Sequence, residues 1–195
     1  MTAPVFEEVV LASTSTMRKA LMDALGIPYV VEAPGVDEVV PTGTPPQHAV
    51  ALLAERKARA VYARKPKALI IGSDQLASLH GSTLGKPEDA KAARAQLASL
   101  RGRTHELFTG VCVIANGFVV TEVDTARLTV WPLSDAELDG YIRTNEWQGC
   151  AGSYRVEGRG QALFERIDGD RTAIQGLPMQ RVVRILREAG VTFFS

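Results

Sequence analysis

The feature that most constrains the fold is an uninterrupted apolar run, Ala68-Leu69-Ile70-Ile71, which gives way at once to Gly72-Ser73-Asp74-Gln75. A strand wetted on one face alternates apolar and polar residues. Four apolar residues in a row imply a strand buried on both faces, as in the parallel part of an α/β sheet. Such a strand needs a helix on each side, and the flanking sequence supplies helical periods. Residues 45–64 carry a stripe of Ala49, Leu52, Leu53 and Val61, with Lys57 toward the middle. Earlier, a short strand over residues 9–11 runs into the small hydroxyl-rich turn Ala12-Ser13-Thr14-Ser15-Thr16. Met17, Ala20, Leu21, Ala24 and Leu25 then recur at helical spacing, with Gly26 as the stop and Pro28 after it.

The rest of the chain mixes both connection types. Residues 29–31 read as a second strand, and Asp37-Glu38 sit in a loop with Pro34, Gly35 and Pro41. Residues 81–85 read as a turn, and Lys86-Pro87 lead into a helix over residues 89–100. Residues 107–114, the turn Asn116-Gly117 and residues 118–130 read as a long β-hairpin. Ser134 with Glu137 three residues on is a capping box opening a helix that ends near Thr144. A glycine-rich stretch over 149–160, a strand at 161–165, a helix over 178–189 and a closing strand at 191–194 complete the chain. Crossovers and a hairpin together predict an α/β class with a mixed sheet and flanking helices. The 195 residues, 46% hydrophobic and 23% charged, suit a single globular domain over 1–195, or two small lobes sharing one sheet.

Charge and cysteine content exclude several roles. Lys plus Arg number 22 and Asp plus Glu number 22, so the formal net charge is zero, unlike the basic excess of a sequence-independent nucleic-acid binder. The apolar runs are only strand length, so no membrane partner is expected. The N-terminus carries Glu7 and Glu8 and no basic segment, so no signal peptide is expected. Cys112 and Cys150 form no CxxC pair and fit a reducing, cytoplasmic setting. His48, His80 and His105 lack ligand spacing for structural zinc.

Ligands in open α/β sheets sit beyond the carboxyl ends of strands. Ser13 and Arg18 follow the first strand, and Asp74 follows the strand at Ile71. The hydroxyl turn with Arg18 fits a phosphate cradle or an ordinary capped strand–turn–helix. Asp74 fits an Asx turn, or a carboxylate that orients water or holds a divalent cation. Asp37-Glu38 fit a second acidic site or a solvated loop. Lys57 and Lys86 read alone as surface lysines. Only together do three cations, two or three acids and a hydroxyl turn point to polyphosphate binding. No GxxxxGK[ST], GxGxxG after a strand, or GxSxG is present.

Eight motifs in order resemble the Maf family of nucleoside triphosphate pyrophosphatases. They are Leu11-Ala12-Ser13-Thr14-Ser15 with Arg18, Asp37-Glu38, Glu55-Arg56-Lys57-Ala58, Ile71-Gly72-Ser73-Asp74, Gly85-Lys86-Pro87, Thr109-Gly110, Ala151-Gly152-Ser153-Tyr154 and Gly176-Leu177-Pro178. The resemblance implies an elongated, inosine-triphosphatase-like fold with two lobes around a cleft. It implies hydrolysis between the α and β phosphates to a monophosphate and pyrophosphate. It also implies a divalent metal, with magnesium expected and manganese or cobalt as alternatives. By position, Asp74 corresponds to the general base, and Glu38 with Asp74 to metal-site carboxylates. Ser13, Arg18, Lys57 and Lys86 correspond to the polyphosphate cradle. Relatives often form homodimers, and zero net charge raises no barrier to one.

Three positions bear on substrate choice. The family opening Ser-Pro-Arg-Arg has Thr16 at its proline and Met17 at its first arginine here, Gln75 follows Asp74, and Glu157 lies in the glycine-rich stretch. Together with Cys150-Ala151-Gly152-Ser153-Tyr154 and Leu163-Phe164-Glu165-Arg166, these resemble the 7-methyl-GTP branch rather than the dTTP/UTP branch. A carboxylate at Glu157 answers the positive charge of an N7-methylated guanine, which a neutral glutamine does not, and it accepts from base N–H donors. Members of that branch often carry Trp where Met17 stands, so Met17 keeps an apolar contact but loses a stacking ring. The alternatives are the same reaction on dTTP and UTP, or a non-catalytic nucleotide-binding regulator of cell division.

Overall fold

The computed structural model describes residues 5–194. β1 (Val9–Ala12) leads through the hydroxyl turn into α1 (Thr16–Asp23), whose N-cap Ser15 side chain accepts the Arg18 N–H. β2 (Val30–Val31), α2 (Pro46–Tyr62), β3 (Leu69–Leu79) and β4 (Ser82–Leu84) follow. Then come α3 (Ala90–Leu100), β5 (Thr104–Ala115), β6 (Phe118–Val130) and α4 (Asp135–Ile142). Two single-turn 3₁₀ segments, Ala151–Ser153 and Arg159–Leu163, precede β7 (Phe164–Asp168), α5 (Arg171–Ile174) and α6 (Met179–Glu188). The strands form one sheet in the order β2-β1-β3-β5-β6-β7, with β4 paired to β3. β1 runs parallel to both β2 and β3, whereas the β3/β4 and β6/β7 pairs are antiparallel. The mixed sheet with flanking helices agrees with the class expected from the sequence.

The chain divides into two units. The first takes the chain up to Asp74, then Thr109–Asp124, then the chain from Arg171 onward; the second takes Gln75–Phe108 and Thr125–Asp170. In the first unit, strand side chains alternate between two apolar layers. Val9, Leu11, Leu69, Ile71, Val111 and Val113 pack with Met22 of α1 and Val182, Ile185 and Leu186 of α6. Val10, Ile70, Cys112 and Ile114 pack against Ala54, Ala58 and Val61 of α2. The continuous apolar run is thus buried on both faces. In the second unit, Arg94 and Arg101 of the α3 region pair with Asp135 of α4. His105 there stacks among Tyr154 and Phe164. The capping box at Ser134 and Glu137 is present.

Five expectations are corrected. β3 does not stop at Ile71 but continues through Asp74 to Leu79, so Asp74 lies within a strand rather than beyond its end. The polar side chains break the apolar pattern without breaking the backbone ladder, because partners on α2 and near α6 receive them. The turn expected over 81–85 instead turns at His80-Gly81, both with positive φ, into β4. The strand expected at 161–165 begins only at Phe164, since Arg159–Leu163 coil into a 3₁₀ turn. No strand forms at 191–194: Gly190, at φ 90°, ends α6, and the Val191 N–H donates back to the Leu186 carbonyl. In α2, Leu52 is 41% exposed, and Val50, Ala54 and Lys57 complete the buried face instead.

Candidate active site

The first unit builds its polar cluster around Lys57. α2 lies against the sheet at backbone distance because β3 and β5 present glycine where it crosses. A Cβ on Gly72 would clash with the Ala54 carbonyl and come 2.8 Å from the Ala58 nitrogen, and a Cβ on Gly110 would clash with the Val50 carbonyl. That close approach lets a lysine on the buried face of α2 reach a strand residue. Lys57 Nζ lies 2.5 Å from Asp74 Oδ1 and 2.6 Å from Glu38 Oε1. Side-chain exposure is 7% for Lys57, 9% for Asp74 and 56% for Glu38, so a buried ion pair carries a second, solvent-facing carboxylate. Lys57 is no surface lysine: Asp74 and Glu38 supply the countercharge that a buried ammonium requires.

Arg18 belongs to the same cluster. Burial pushes its guanidinium pKa down, while the Asp74 and Glu38 carboxylates oppose that shift. It remains cationic, as arginine does in proteins. Its Nε donates to the Gly176 carbonyl at 2.7 Å, and Ser73 Oγ donates to the same carbonyl at 2.8 Å. Gly176 has φ 106°, and a Cβ there would lie 3.2 Å from Arg18 Nε. Ser13 is buried and its Oγ accepts the Ser15 N–H. The β1/β3 register pairs Ala12 with Gly72, so Ser13 leaves its strand alongside Ser73. Met17 is half-buried in the first turn of α1.

The remaining expected residues lie in the second unit. Gln75 is half-buried on β3, and Lys86 is exposed just after β4. Glu157 Oε1 lies 3.7 Å from Arg155 Nε. Cys150 senses both: burial pushes its thiol pKa up, Arg155 and Lys86 pull it down, and Glu157 raises it. The loop bearing Glu157 is closely fitted, since a Cβ on Gly158 would lie 2.5 Å from Glu146 Oε2. Glu146 Oε2 also accepts the Gly160 N–H at 3.3 Å. Trp147 is buried, whereas Trp131 is 44% exposed.

Among the described residues no group of three or more His, Cys, Asp and Glu could hold a metal ion. A magnesium ion does not need such a cage. It keeps several waters and is held by one or two carboxylates plus substrate phosphates. Asp74 and Glu38, brought onto one ammonium, are a hard-oxygen donor pair that fits this mode.

Reading the sequence alone misses three groups. Arg56 Nη1 donates to the carbonyls of Asp37 and Val39, on either side of Glu38, at 2.7 Å each. Nothing local in the sequence signals a side chain that acts on main-chain carbonyls 19 and 17 positions away. Gly176 and Ser73 stand in noted motifs but acquire a role only through the Gly176 carbonyl.

Comparison with known proteins follows the same lines. Residues 8–189 match the family model described as Maf-like protein. A 7-methyl-GTP pyrophosphatase of Albidiferax ferrireducens is 41% identical over 194 residues, covering 98% of each chain. A dTTP/UTP pyrophosphatase of Bacillus pumilus is 38% identical over 187 residues, covering 96% of this chain and 99% of its own. Among solved structures, the Staphylococcus aureus Ham1 protein matches with a TM-score of 0.47 at 16% identity, over 65% of this chain and 73% of that one.

Proposed function

This chain belongs to the Maf family, and on that premise we propose that it is a nucleoside triphosphate pyrophosphatase with 7-methyl-GTP as its preferred substrate. Water adds to phosphorus, the anhydride bond between the α and β phosphates breaks, and a monophosphate and pyrophosphate leave. The observation that carries the reading is the Lys57 ammonium between Asp74 and Glu38, with the Arg18 guanidinium beside them. Phosphoryl transfer is mainly a matter of positioning and charge neutralisation. Ionised Asp74 is an acceptor that can align a water and take its proton. Its bond to Lys57 and its place within a strand hold it in one orientation. Lys57 and Arg18 are the donors for phosphoryl oxygens, with Ser13 beside them; Lys86 is assigned to phosphate binding by its motif alone.

The formal charges of Arg18, Lys57, Glu38 and Asp74 cancel, so these four groups offer no net attraction to a polyanion. A divalent cation arriving with the triphosphate restores the balance, which is why metal dependence is part of the proposal. Asp74 and Glu38 would hold it, and it would offset charge on the phosphates when bound. The preferred metal is magnesium, with manganese and cobalt as alternatives, and the setting is the cytoplasm.

Preference for 7-methyl-GTP rests on Met17, Gln75 and Glu157. Glu146 accepts the Gly160 N–H in the loop that bears Glu157, and in this reading the Glu157 carboxylate answers the positive charge of the methylated base. The second reading, dTTP and UTP, is favoured by relatives of that name at similar identity. Pyrophosphate release from 7-methyl-GTP, GTP, dTTP, UTP, CTP and inosine triphosphate at fixed magnesium, with Asp74→Asn as the blank, separates them. The expected result is fastest turnover of 7-methyl-GTP and none with Asp74→Asn. A preference for dTTP or UTP keeps the reaction and overturns the roles of the three positions. Absence of release from every nucleotide favours a nucleotide-binding regulator.

A further inference from the structure

We propose that Arg56 is a positioning residue for Glu38, holding the loop that carries this carboxylate in register with Lys57. The inference rests on the reading of Glu38, Lys57 and Asp74 as the reaction site. Residues 32–45 contain no helix or strand, so the place of Glu38 depends on side-chain anchors. Two arginines of the α2 region supply them. Arg64 donates to Glu32 Oε1 at 2.7 Å and to the Ala33 carbonyl at 2.8 Å, fixing the start of the segment. Arg56 grips its centre through the Asp37 and Val39 carbonyls. Between those carbonyls the chain makes a local turn, in which Asp37 Oδ1 accepts the Val39 N–H at 2.9 Å. Glu38 is the residue bracketed by the clamp, and its carboxylate reaches Lys57 at 2.6 Å.

Arg56 and Lys57 are consecutive on one helix. The same turn of α2 therefore holds the loop by its backbone and receives the loop's carboxylate. Bonds from a guanidinium to two carbonyls at 2.7 Å are charge-assisted, and both are made by a half-buried side chain. Without them an exposed glutamate on an irregular loop would have to be ordered anew at each substrate encounter, at the expense of its conformational freedom. Arg56 bonds to the backbone on both sides of Glu38, so its influence on the reaction passes through Glu38.

A double-mutant cycle tests this, with pyrophosphate release from the best nucleotide of the panel as the rate and amide hydrogen exchange as the second readout. Arg56→Ala should lower kcat/KM about tenfold, raise the magnesium concentration needed for half-maximal rate, and speed exchange over residues 36–40. Arg56→Lys, which keeps a cationic donor, should recover most of the loss. In a Glu38→Gln background, Arg56→Ala should change kcat/KM less than about twofold, because the group it positions is already disabled. An equal loss in both backgrounds overturns the proposal, since it would mean that Arg56 acts by another route. So does unchanged exchange over residues 36–40. A Glu38→Gln enzyme with undiminished rate and metal dependence overturns it as well, while an inactive Asp74→Asn enzyme in the same assay leaves the wider functional reading standing.

Discussion

Lys57 is the residue on which the polar cluster turns. A buried ion pair is weak evidence for stability, because desolvating two charges offsets much of their attraction. Removing one partner is another matter. Lys57→Met would leave Asp74 buried with its ammonium gone, and a broken buried pair typically destabilises by about 3–5 kcal/mol. The double variant Lys57→Met/Asp74→Asn removes both charges and should regain most of that loss while remaining inactive. Urea midpoints of the three proteins measure it. If the double variant is no more stable than Lys57→Met, desolvated charge is not the source of the loss. Regained stability with activity still absent would mean that the pair is kept for chemistry, since a neutral pair serves folding equally well.

At the scale of elements, the seat of α2 on the sheet makes the Lys57–Asp74 pair possible. Gly72 and Gly110 permit backbone-level contact with that helix, and neither needs its special backbone freedom, since neither has positive φ. Gly72→Ala should push α2 outward, lower stability by about 1–3 kcal/mol, and reduce activity through displacement of Lys57. A Gly72→Ala protein with unchanged urea midpoint and rate would show that α2 tolerates the shift. These elements also mark what the sequence discloses. The two-sided burial of Leu69, Ile70 and Ile71, the Ser134 cap and the Asn116-Gly117 turn are local signals and were legible. The extension of β3 through Ser73 and Asp74 was not, because their partners, Gly176 and Lys57, lie far along the chain. Lys57 itself was legible only as a surface lysine until its motif was set beside the others. Arg56 stands in the Glu55-Arg56-Lys57-Ala58 motif, but its role was not legible, since bonds to main-chain carbonyls impose no pattern on the loop sequence.

At the scale of the whole molecule, acid should act first on the second unit. Both tryptophans, Trp131 and Trp147, fall in that unit, so intrinsic fluorescence reports its unfolding. The same unit contains His105, 1% exposed, whose Nε2 lies 2.7 Å from the Tyr154 hydroxyl. Burial lowers the His105 pKa from 6.5 to about 4. The unfolded chain thus binds a proton at a pH where the folded unit does not. The stabilisation from keeping this ring neutral is complete above pH 6.5 and is lost as pH falls toward 4, for a total of about 3 kcal/mol. The urea midpoint read by tryptophan fluorescence should therefore fall steadily from pH 7 to pH 4.5. His105→Gln should be less stable at pH 7, because the ring packing with Tyr154 and Phe164 is lost, yet its midpoint should be nearly flat over the same range. An equal slope in both proteins would place the acid sensitivity in other groups and refute the role of His105. A flat His105→Gln profile would make one buried imidazole the main determinant of how this unit responds to mild acid, independently of the carboxylates around Lys57.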